Sequence, residues 1–324
     1  MRRLLLSRAA QAAVVIALVA TLAFVLIHVA PGDPFSASLD DPSVTADIRA
    51  TQRAQWGYDR PLPQQYVRWI ANLARLELGW SHTHARPVKE VLARRVPNTL
   101  LLMATALGLG LVAGVALGTW QAARQGSRSE RASGALALLA LSAPEFLVAL
   151  GALGLFAVRW RLLPVSGMVD PVLHDGLSLA GRAADVLRHL LLPAGTLALL
   201  TTAAVSRFHR SAMLAVLPEE FVRTARAKGV TEVAVLVRHA LRNALGPVIT
   251  IAGLMLPALF GGAVFVEKIF GWPGMGLTMV NAVGGRDYPL VLASVLVGSV
   301  LVALGGAVAE VLAAVADPRV RGAA

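Results

Sequence analysis

The sequence contains no cysteine and few charged residues. Among its 324 residues, the absence of cysteine excludes a disulfide framework, thiolate metal ligands and a cysteine nucleophile. Charged residues make up 15% of the chain, whereas soluble domains have about 25%. Hydrophobic residues make up 56%, which is typical of a protein whose solvent is largely lipid.

Lysine is also scarce, and no lysine lies in a phosphate-binding loop. The three lysines are Lys89, Lys228 and Lys268, and none follows a glycine, as the motif Gly-x-x-x-x-Gly-Lys-Ser/Thr requires. No spaced set of metal ligands is present either. We therefore predict no catalytic residues, no metal site and no cofactor bound by this chain.

Six apolar runs predict transmembrane helices. A helix of about 20 apolar residues crosses the hydrocarbon core of a bilayer. The first run is longer than the apolar core of about 7–15 residues in a signal peptide, so it predicts a retained helix. The runs cover residues 9–30, 97–120, 132–158, 189–206, 247–266 and 289–315. They predict an all-α integral membrane protein with six transmembrane helices.

The runs divide the chain into three predicted parts. Residues 1–30 form the first transmembrane helix with its N-terminal flank, residues 31–96 form an external region, and residues 97–324 form the core transmembrane domain. The external region contains one amphipathic helix, predicted to lie at the membrane surface or against the bundle. Its apolar positions at i, i+3, i+4 and i+7 are Tyr66, Trp69, Ile70 and Leu73.

Basic residues are concentrated in segments that six spans would place on one side of the membrane. These segments hold fifteen basic and five acidic residues, a net +10 of the whole chain's +11. Lysine and arginine are enriched in cytoplasmic segments of membrane proteins. Both termini are therefore predicted to be cytoplasmic. The net positive charge of the chain is therefore explained by its membrane topology, and we predict no nucleic acid partner.

Two features inside the apolar runs carry separate predictions. Gly110, Gly114 and Gly118 are spaced four residues apart, a pattern that lets two helices approach closely in lipid, so we predict ordinary helix packing there. Glu145 follows Pro144 near the middle of the third run. A carboxylate at that depth indicates either a functional site or a pair inside the bundle. We predict Glu145, Met255 and Phe260 as possible translocation residues.

The basic loop, residues 207–246, is the most informative segment. Pro218 suits the first turn of a helix, and Glu219 and Arg223 are spaced as a favourable i, i+4 pair. Gly229 allows the chain to turn before a second short helix.

This loop resembles the cytoplasmic EAA loop of permeases from binding-protein-dependent ABC importers. The family pattern is Glu-Ala-Ala, three residues, Gly, nine residues, then Ile-x-Leu-Pro. Ala225, Gly229 and Leu241 occupy the positions of the second alanine, the glycine and the leucine. The departures from the pattern are Arg223, Thr224, His239 and Arg242.

At those four positions the residues resemble the loop of the family's peptide/nickel group. That loop reads Tyr-Val-Arg-Thr-Ala-Arg-Ala-Lys-Gly and later His-Ala-Leu-Arg-Asn. Other segments similar to that group occur in order along nearly the whole chain, although Tyr58 replaces the group's usual leucine. They are Pro31–Pro34, Asp59–Pro63, Leu78–Ser81, Leu163–Gly167, Arg207–Leu214 and Asp317–Arg321.

The resemblance implies a type I ABC importer fold and a multi-pass permease subunit of the bacterial inner membrane. The implied partners are a second homologous permease that forms a heterodimer, two ABC ATPase subunits that bind ATP and Mg²⁺, an extracytoplasmic solute-binding protein and membrane lipid. The implied function is alternating-access transport of a small solute, with di- or oligopeptides as the first expectation. The implied coupling residues in the loop are Glu219, Arg223, Ala225, Arg226, Lys228, Gly229 and Leu241.

A second hypothesis is an ion-coupled secondary transporter. It would use intramembrane carboxylates, for which Glu145 and Glu310 are the candidates. It predicts an inverted internal repeat, and the sequence shows no convincing one. An intramembrane enzyme is the third hypothesis, and it lacks candidate catalytic residues.

Overall fold

The computed structural model describes the backbone of residues 2–29 and 60–316, and the side chains of residues 10–26, 28–29, 60–255, 263–309 and 311. The predicted segments at residues 31–34 and 317–321, together with Tyr58 and the side chains of Phe260 and Glu310, lie outside this description. The described part is all-α apart from one short hairpin, as predicted.

The described helices are numbered here in the order in which they occur along the chain. They are α1 (Arg2–Val29), α2 (Leu62–Ala74), α3 (Val88–Ala123), α4 (Arg128–Ser142), α5 (Glu145–Ala152), α6 (Leu179–Val216), α7 (Glu220–Ala227), α8 (Glu232–Ala234), α9 (Leu241–Ile269), α10 (Met275–Gly284) and α11 (Tyr288–Ala316). Single π-helical turns extend α5 (Leu153–Arg159) and precede α9 (Val235–Ala240), and a 3₁₀ turn (His174–Gly176) precedes α6. Strands β1 (Trp80–Ser81) and β2 (Arg86–Pro87) pair antiparallel.

Three helices in the described residues are long and apolar enough to cross a membrane. They are α3, α6 and residues 288–309 of α11. The third predicted run is broken into α4 and α5, which meet at an angle of 107° and would count as a fourth span if taken together. The break falls at Pro144, which cannot donate the hydrogen bond that a continuous helix needs. Pro193, by contrast, lies inside α6 without ending it.

One compact unit comprises residues 1–97 and 274–300. In it, the amphipathic helix α2 packs against α1. The ring of Phe24 lies 5.3 Å from that of Tyr66 and 5.5 Å from that of Trp69, and the hydroxyls of Thr21 and Tyr66 are 2.8 Å apart. The predicted amphipathic helix is therefore present, and its aromatic side chains pack against α1.

Asp287 holds the hairpin to the start of α11 in the same unit. Its buried Oδ2 accepts hydrogen bonds from Ser81 Oγ (2.6 Å), Thr83 Oγ1 (2.8 Å) and the Thr83 amide (3.0 Å). Its Oδ1 accepts the amide of Leu290 in the first turn of α11 (3.3 Å). One carboxylate thus satisfies donors from both elements, which is how a buried charge is stabilised.

The other unit comprises residues 98–273 and 301–324, and α6 packs in it against α4, α5 and α9. Trp272 is fully buried after α9, and its indole N–H donates to the carbonyl of Asn98 (2.9 Å). The Asn98 amide donates in turn to the carbonyl of Pro273 (2.9 Å). Thr99 Oγ1 donates to the buried Glu267 (2.6 Å). These bonds join the start of this unit's part of α3 to the end of α9.

The three spaced glycines of α3 face α6, so the predicted helix packing is confirmed. A Cβ at Gly114 would lie 2.6 Å from the Cβ of Val205, and one at Gly118 would lie 2.6 Å from the carbonyl oxygen of Ser206. Real side chains do not approach this closely. The absence of a side chain at these positions therefore sets the distance between α3 and α6.

Candidate functional site

The basic loop folds into two short helices joined by a turn at Gly229. Its first residues extend α6 to Val216, and α7 begins after Glu219, whose carbonyl accepts the amides of Val222 (3.0 Å) and Arg223 (3.1 Å). The sequence predicts Pro218 to lie in the first turn of this helix. In the structure Pro218 lies one residue before the N-cap, Glu219.

Gly229 ends α7 in a Schellman motif. Its φ is +76°, its amide donates to the carbonyl of Arg226 (3.0 Å), and the amide of Val230 donates to that of Ala225 (3.3 Å). Only glycine adopts this conformation without strain from a side chain. The turn predicted at Gly229 is therefore present, and it reverses the chain toward α8.

The inner face of the loop is apolar and closed. Val222 and Ala225, three residues apart on one face of α7, are buried against Val235 at the start of the following π-helical turn. Val216 and Val230 pack around these three. We call this set of five residues the inner cluster. It fixes α7 against the segment that follows the turn.

An ion pair joins the same two segments on the outside. Arg226 donates from Nη2 and Nε to the two carboxylate oxygens of Glu232, at 2.7 and 3.1 Å. These hydrogen bonds lower the pKa of the Glu232 carboxyl below its usual range. Because both side chains are exposed, the pair contributes little stability, and the inner cluster supplies most of the contact between the two segments.

The predicted pair between Glu219 and Arg223 does not form. Arg223 instead donates from Nη1 to Glu220 Oε1, at 3.1 Å. Glu219 is the N-cap and has an extended backbone, so its side chain does not lie on the face of α7 that carries Arg223.

The outer face of the loop is exposed and mixed in character. On α7, Phe221 is 42% exposed among polar and charged side chains, and Lys228 lies in solvent next to the turn. Val233 and Val237, 71% and 56% exposed, instead line an apolar groove with Trp120 of α3 and Ile249 of α9. An exposed aromatic side chain among charges on a fixed element is typical of an interaction surface. We call the exposed side chains of α7 around Phe221 the outer patch.

The loop is also fixed to the helices on either side of it. A second buried cluster joins the ends of α3 and α6 to the start of α9, and it contains Ala122, Met213, Ala240 and Ala244. Val216 packs against this cluster as well as the inner cluster. Leu241, the first residue of α9, is half-buried. A force on α7 would therefore reach α6 and α9 directly.

The predicted translocation residues lie on α5 and α9, which pack against each other. Glu145 is the first residue of α5, directly after the break at Pro144. It is half-buried, and its Oε1 is shielded from solvent without a hydrogen-bond partner among the described residues. Met255 on α9 is half-buried, and Phe260 lies on the same helix with its side chain outside the description.

Besides Asp287, sequence reasoning missed two buried carboxylates that the structure pairs. Glu130 on α4 lies 3.0 Å from Nη2 of Arg210 on α6, and Glu267 on α9 accepts from Thr99 on α3. Both pairings join residues far apart in the chain, so no local pattern marks them. The sequence contains one signal for these pairs, which is a carboxylate, Glu267, directly after an apolar run.

Residues 110–322 match the family "Binding-protein-dependent transport system inner membrane component", and residues 1–103 match the N-terminal region of the membrane components of such systems.

Several similar relatives are named as permeases. The oligopeptide transport system permease protein OppB of Mycobacterium tuberculosis is 39% identical and is aligned over 99% of both chains. The oligopeptide transport system permease protein AppB of Bacillus subtilis is 37% identical over 92% of this chain and 93% of its own length. The dipeptide transport system permease protein DppB of Escherichia coli is 35% identical over 93% of both.

One solved structure has a similar fold. A chain of the MetNI methionine ABC transporter superposes with a TM-score of 0.54 at 17% identity, covering 71% of this chain and 98% of that chain. At this identity the likeness concerns the fold alone.

The described helices and the fixed loop define a multi-pass, all-α membrane protein. By the extent of the match and the identity of its relatives, the chain belongs to the family of binding-protein-dependent transport system inner membrane components, which are permeases of ABC importers. The predictions of an ABC importer permease and of a chain that is not itself an enzyme are confirmed. The hypotheses of a secondary transporter and of an intramembrane enzyme are set aside.

Proposed function

We propose that this chain is one of two homologous permease subunits of a bacterial inner-membrane importer of di- or oligopeptides. The peptide class is suggested by the named substrates of relatives aligned over nearly the whole chain. Residues 97–324 are the proposed permease domain, in a bundle of six spans with both termini in the cytoplasm. The proposed partners are the second permease, two ATPase subunits and an extracytoplasmic peptide-binding protein.

One observation carries the proposed mechanism: the loop has a closed inner face and an exposed outer one. The inner cluster fixes its shape, while the outer patch is left for a partner. We propose that the outer patch, with Glu219, Arg223 and Lys228 around it, docks on an ATPase subunit. Because the sequence has no Gly-Lys-Ser/Thr phosphate-binding loop, we propose that ATP and Mg²⁺ bind to the ATPase partners.

The attachment of the loop suggests how nucleotide binding moves the spans. When the two ATPase subunits close on ATP, the docked loops of the two permeases would be drawn together. Because Val216 and the cluster around Met213 tie the loop to α6 and α9, those helices would move with it as rigid levers. Alternation between outward-open and inward-open arrangements would follow, with hydrolysis returning the subunits to the inward-open one.

The partners and the energy source can be tested together. The full chain is purified from its native membrane in mild detergent, its partners are identified by mass spectrometry, and the complex is reconstituted with the binding protein. We expect a second permease and two ATPase subunits, and uptake of labelled peptide that needs ATP and survives ionophores. Recovery of the chain alone, with uptake abolished by ionophores and indifferent to ATP, would contradict the proposal.

Glu145 is proposed to bind the positively charged amino group of the substrate. Its carboxylate oxygen without a described partner lies at a break between two apolar helices. A charged group at such a position is costly unless it binds a partner or a substrate. We expect Glu145→Gln to raise the KM for peptide about tenfold, the loss of one charge-assisted hydrogen bond. Glu90→Gln, which removes an exposed carboxylate in the first turn of α3, is the control. Unchanged kinetics in Glu145→Gln would leave Glu145 a packing role only.

A further inference from the structure

A polar pocket lies between α3, α4 and α6, at the end of α6 that leads into the basic loop. Its volume is about 500 Å³. Gln121 near the end of α3, Glu130 in the first turn of α4, and Arg207, Arg210 and Ser211 on α6 supply its polar wall. The mechanism above uses none of these residues.

The pocket has one uncompensated positive charge. Glu130 neutralises Arg210, whose Nη2 lies 3.0 Å from Glu130 Oε1. Arg207 is exposed and makes no ion pair with any described residue. An anion in the pocket would therefore meet one free guanidinium and a second one held in place by its carboxylate. Guanidinium groups are well suited to bind phosphate oxygens.

Unused hydrogen-bonding atoms lie in the same wall. Gln121 is fully buried and donates from Nε2 to Ser133 Oγ (3.0 Å), yet its Oε1 has no partner among the described residues. The Nε of Arg210 is likewise shielded without a partner in the described part. A buried unpaired acceptor is costly, so its presence points to a ligand that carries a donor.

The pocket changes from polar to apolar along its length. Beyond the polar wall it is lined by Leu141, Ala204 and Phe208, and both Leu141 and Phe208 are exposed. Leu141 lies eleven residues after Glu130 on α4, which is about 16 Å along a helix. A molecule that fills the pocket would thus have a charged head at the helix ends and an apolar part directed toward the middle of the spans.

We propose that this pocket binds an anionic phospholipid of the cytoplasmic leaflet whose headgroup carries hydroxyl groups, of the phosphatidylglycerol type. The phosphodiester lies between Arg207 and Arg210, a headgroup hydroxyl donates to Gln121 Oε1, and an acyl chain runs along Leu141 and Phe208. Basic pockets between transmembrane helices on the cytoplasmic side are suited to acidic headgroups. The site needs only that this end of α6 be cytoplasmic, and it is independent of the transported solute.

The test measures lipid binding to the full chain, purified with its partners in detergent. Dioleoyl phosphatidylglycerol is titrated and counted by native mass spectrometry, with dioleoyl phosphatidylcholine as the neutral lipid. We expect Arg207→Gln to weaken phosphatidylglycerol binding about tenfold. Ala204→Phe, which fills the pocket without changing charge, should weaken it as much. Arg128→Gln removes an exposed arginine at the same end but outside the pocket, and it should leave binding unchanged.

Three results would overturn the assignment. If both Arg207→Gln and Ala204→Phe bind phosphatidylglycerol with the wild-type affinity, the lipid does not bind in this pocket. An equal loss in Arg128→Gln would mean general attraction of acidic lipid to a basic surface. Inorganic phosphate or glycerol 3-phosphate binding as tightly as the lipid, with the same dependence on Arg207, would make the occupant a soluble phosphate compound and not a lipid.

Discussion

Ala225→Asp should abolish ATP-driven peptide uptake while the chain still inserts into the membrane. Ala225 is 7% exposed and packs in the inner cluster against Val222 and Val235. A carboxylate there would be buried without a partner, which costs several kcal/mol or forces α7 away from the segment after the turn. Either outcome removes the fixed shape that the outer patch needs to transmit a movement.

Gly229→Pro tests the same element through the backbone. Proline fixes φ near −65°, whereas Gly229 has φ +76° and donates its amide to Arg226. The Schellman motif cannot form, so α7 and α8 lose their relative orientation. We expect transport to fall at least as far as in Ala225→Asp.

The measurement is uptake of labelled peptide into vesicles, together with the ATPase activity of the complex. Ala183→Asp introduces the same charge at an exposed alanine in the first turns of α6, far from the loop, and should transport normally. Membrane insertion of every variant is checked by its extraction profile. Normal uptake by both Ala225→Asp and Gly229→Pro would remove the loop from the coupling mechanism.

Gly118→Val should prevent stable packing of α3 on α6. A Cβ at this position would lie 2.6 Å from the carbonyl oxygen of Ser206 and 3.0 Å from the amide nitrogen of Arg210. Both neighbours are backbone atoms, so no rotation of a side chain relieves the clash and the two helices must separate. Overpacking of this kind costs about 3 kcal/mol.

The matched control is Gly108→Val on the same helix. A Cβ at Gly108 meets nothing within 4 Å, so the intrinsic cost of replacing glycine is the same while the clash is absent. Thermal unfolding of the purified variants in detergent should show a much lower midpoint for Gly118→Val than for Gly108→Val. Equal midpoints would mean that α3 and α6 can separate without cost.

The sequence predicted the helices because the signal for a transmembrane helix is local. A run of about 20 apolar residues is readable without knowing its neighbours, and α3, α6 and α11 are long and apolar as expected. The turn at Gly229 was also readable, since a glycine between two helical patterns indicates a positive φ. The family resemblance rested on the same short segments.

The third run shows where a local signal is incomplete. Its composition predicts one span, and Pro144 within it was recognised, yet the structure divides it into α4 and α5 at 107°. A proline alone does not decide between a tolerated kink and a break. Pro193 lies inside α6 without ending it. Packing of neighbouring helices decides which outcome occurs.

The sequence by itself determined that this chain is an all-α membrane permease and that its loop turns at Gly229. Only the tertiary structure decided the partners of polar groups on separate segments: Arg226 bonds to Glu232 across the turn, and Arg210 bonds to Glu130 on another helix. The reason is physical. Apolar length and backbone conformation are properties of consecutive residues, whereas an ion pair or a pocket depends on which helix faces are brought together by packing.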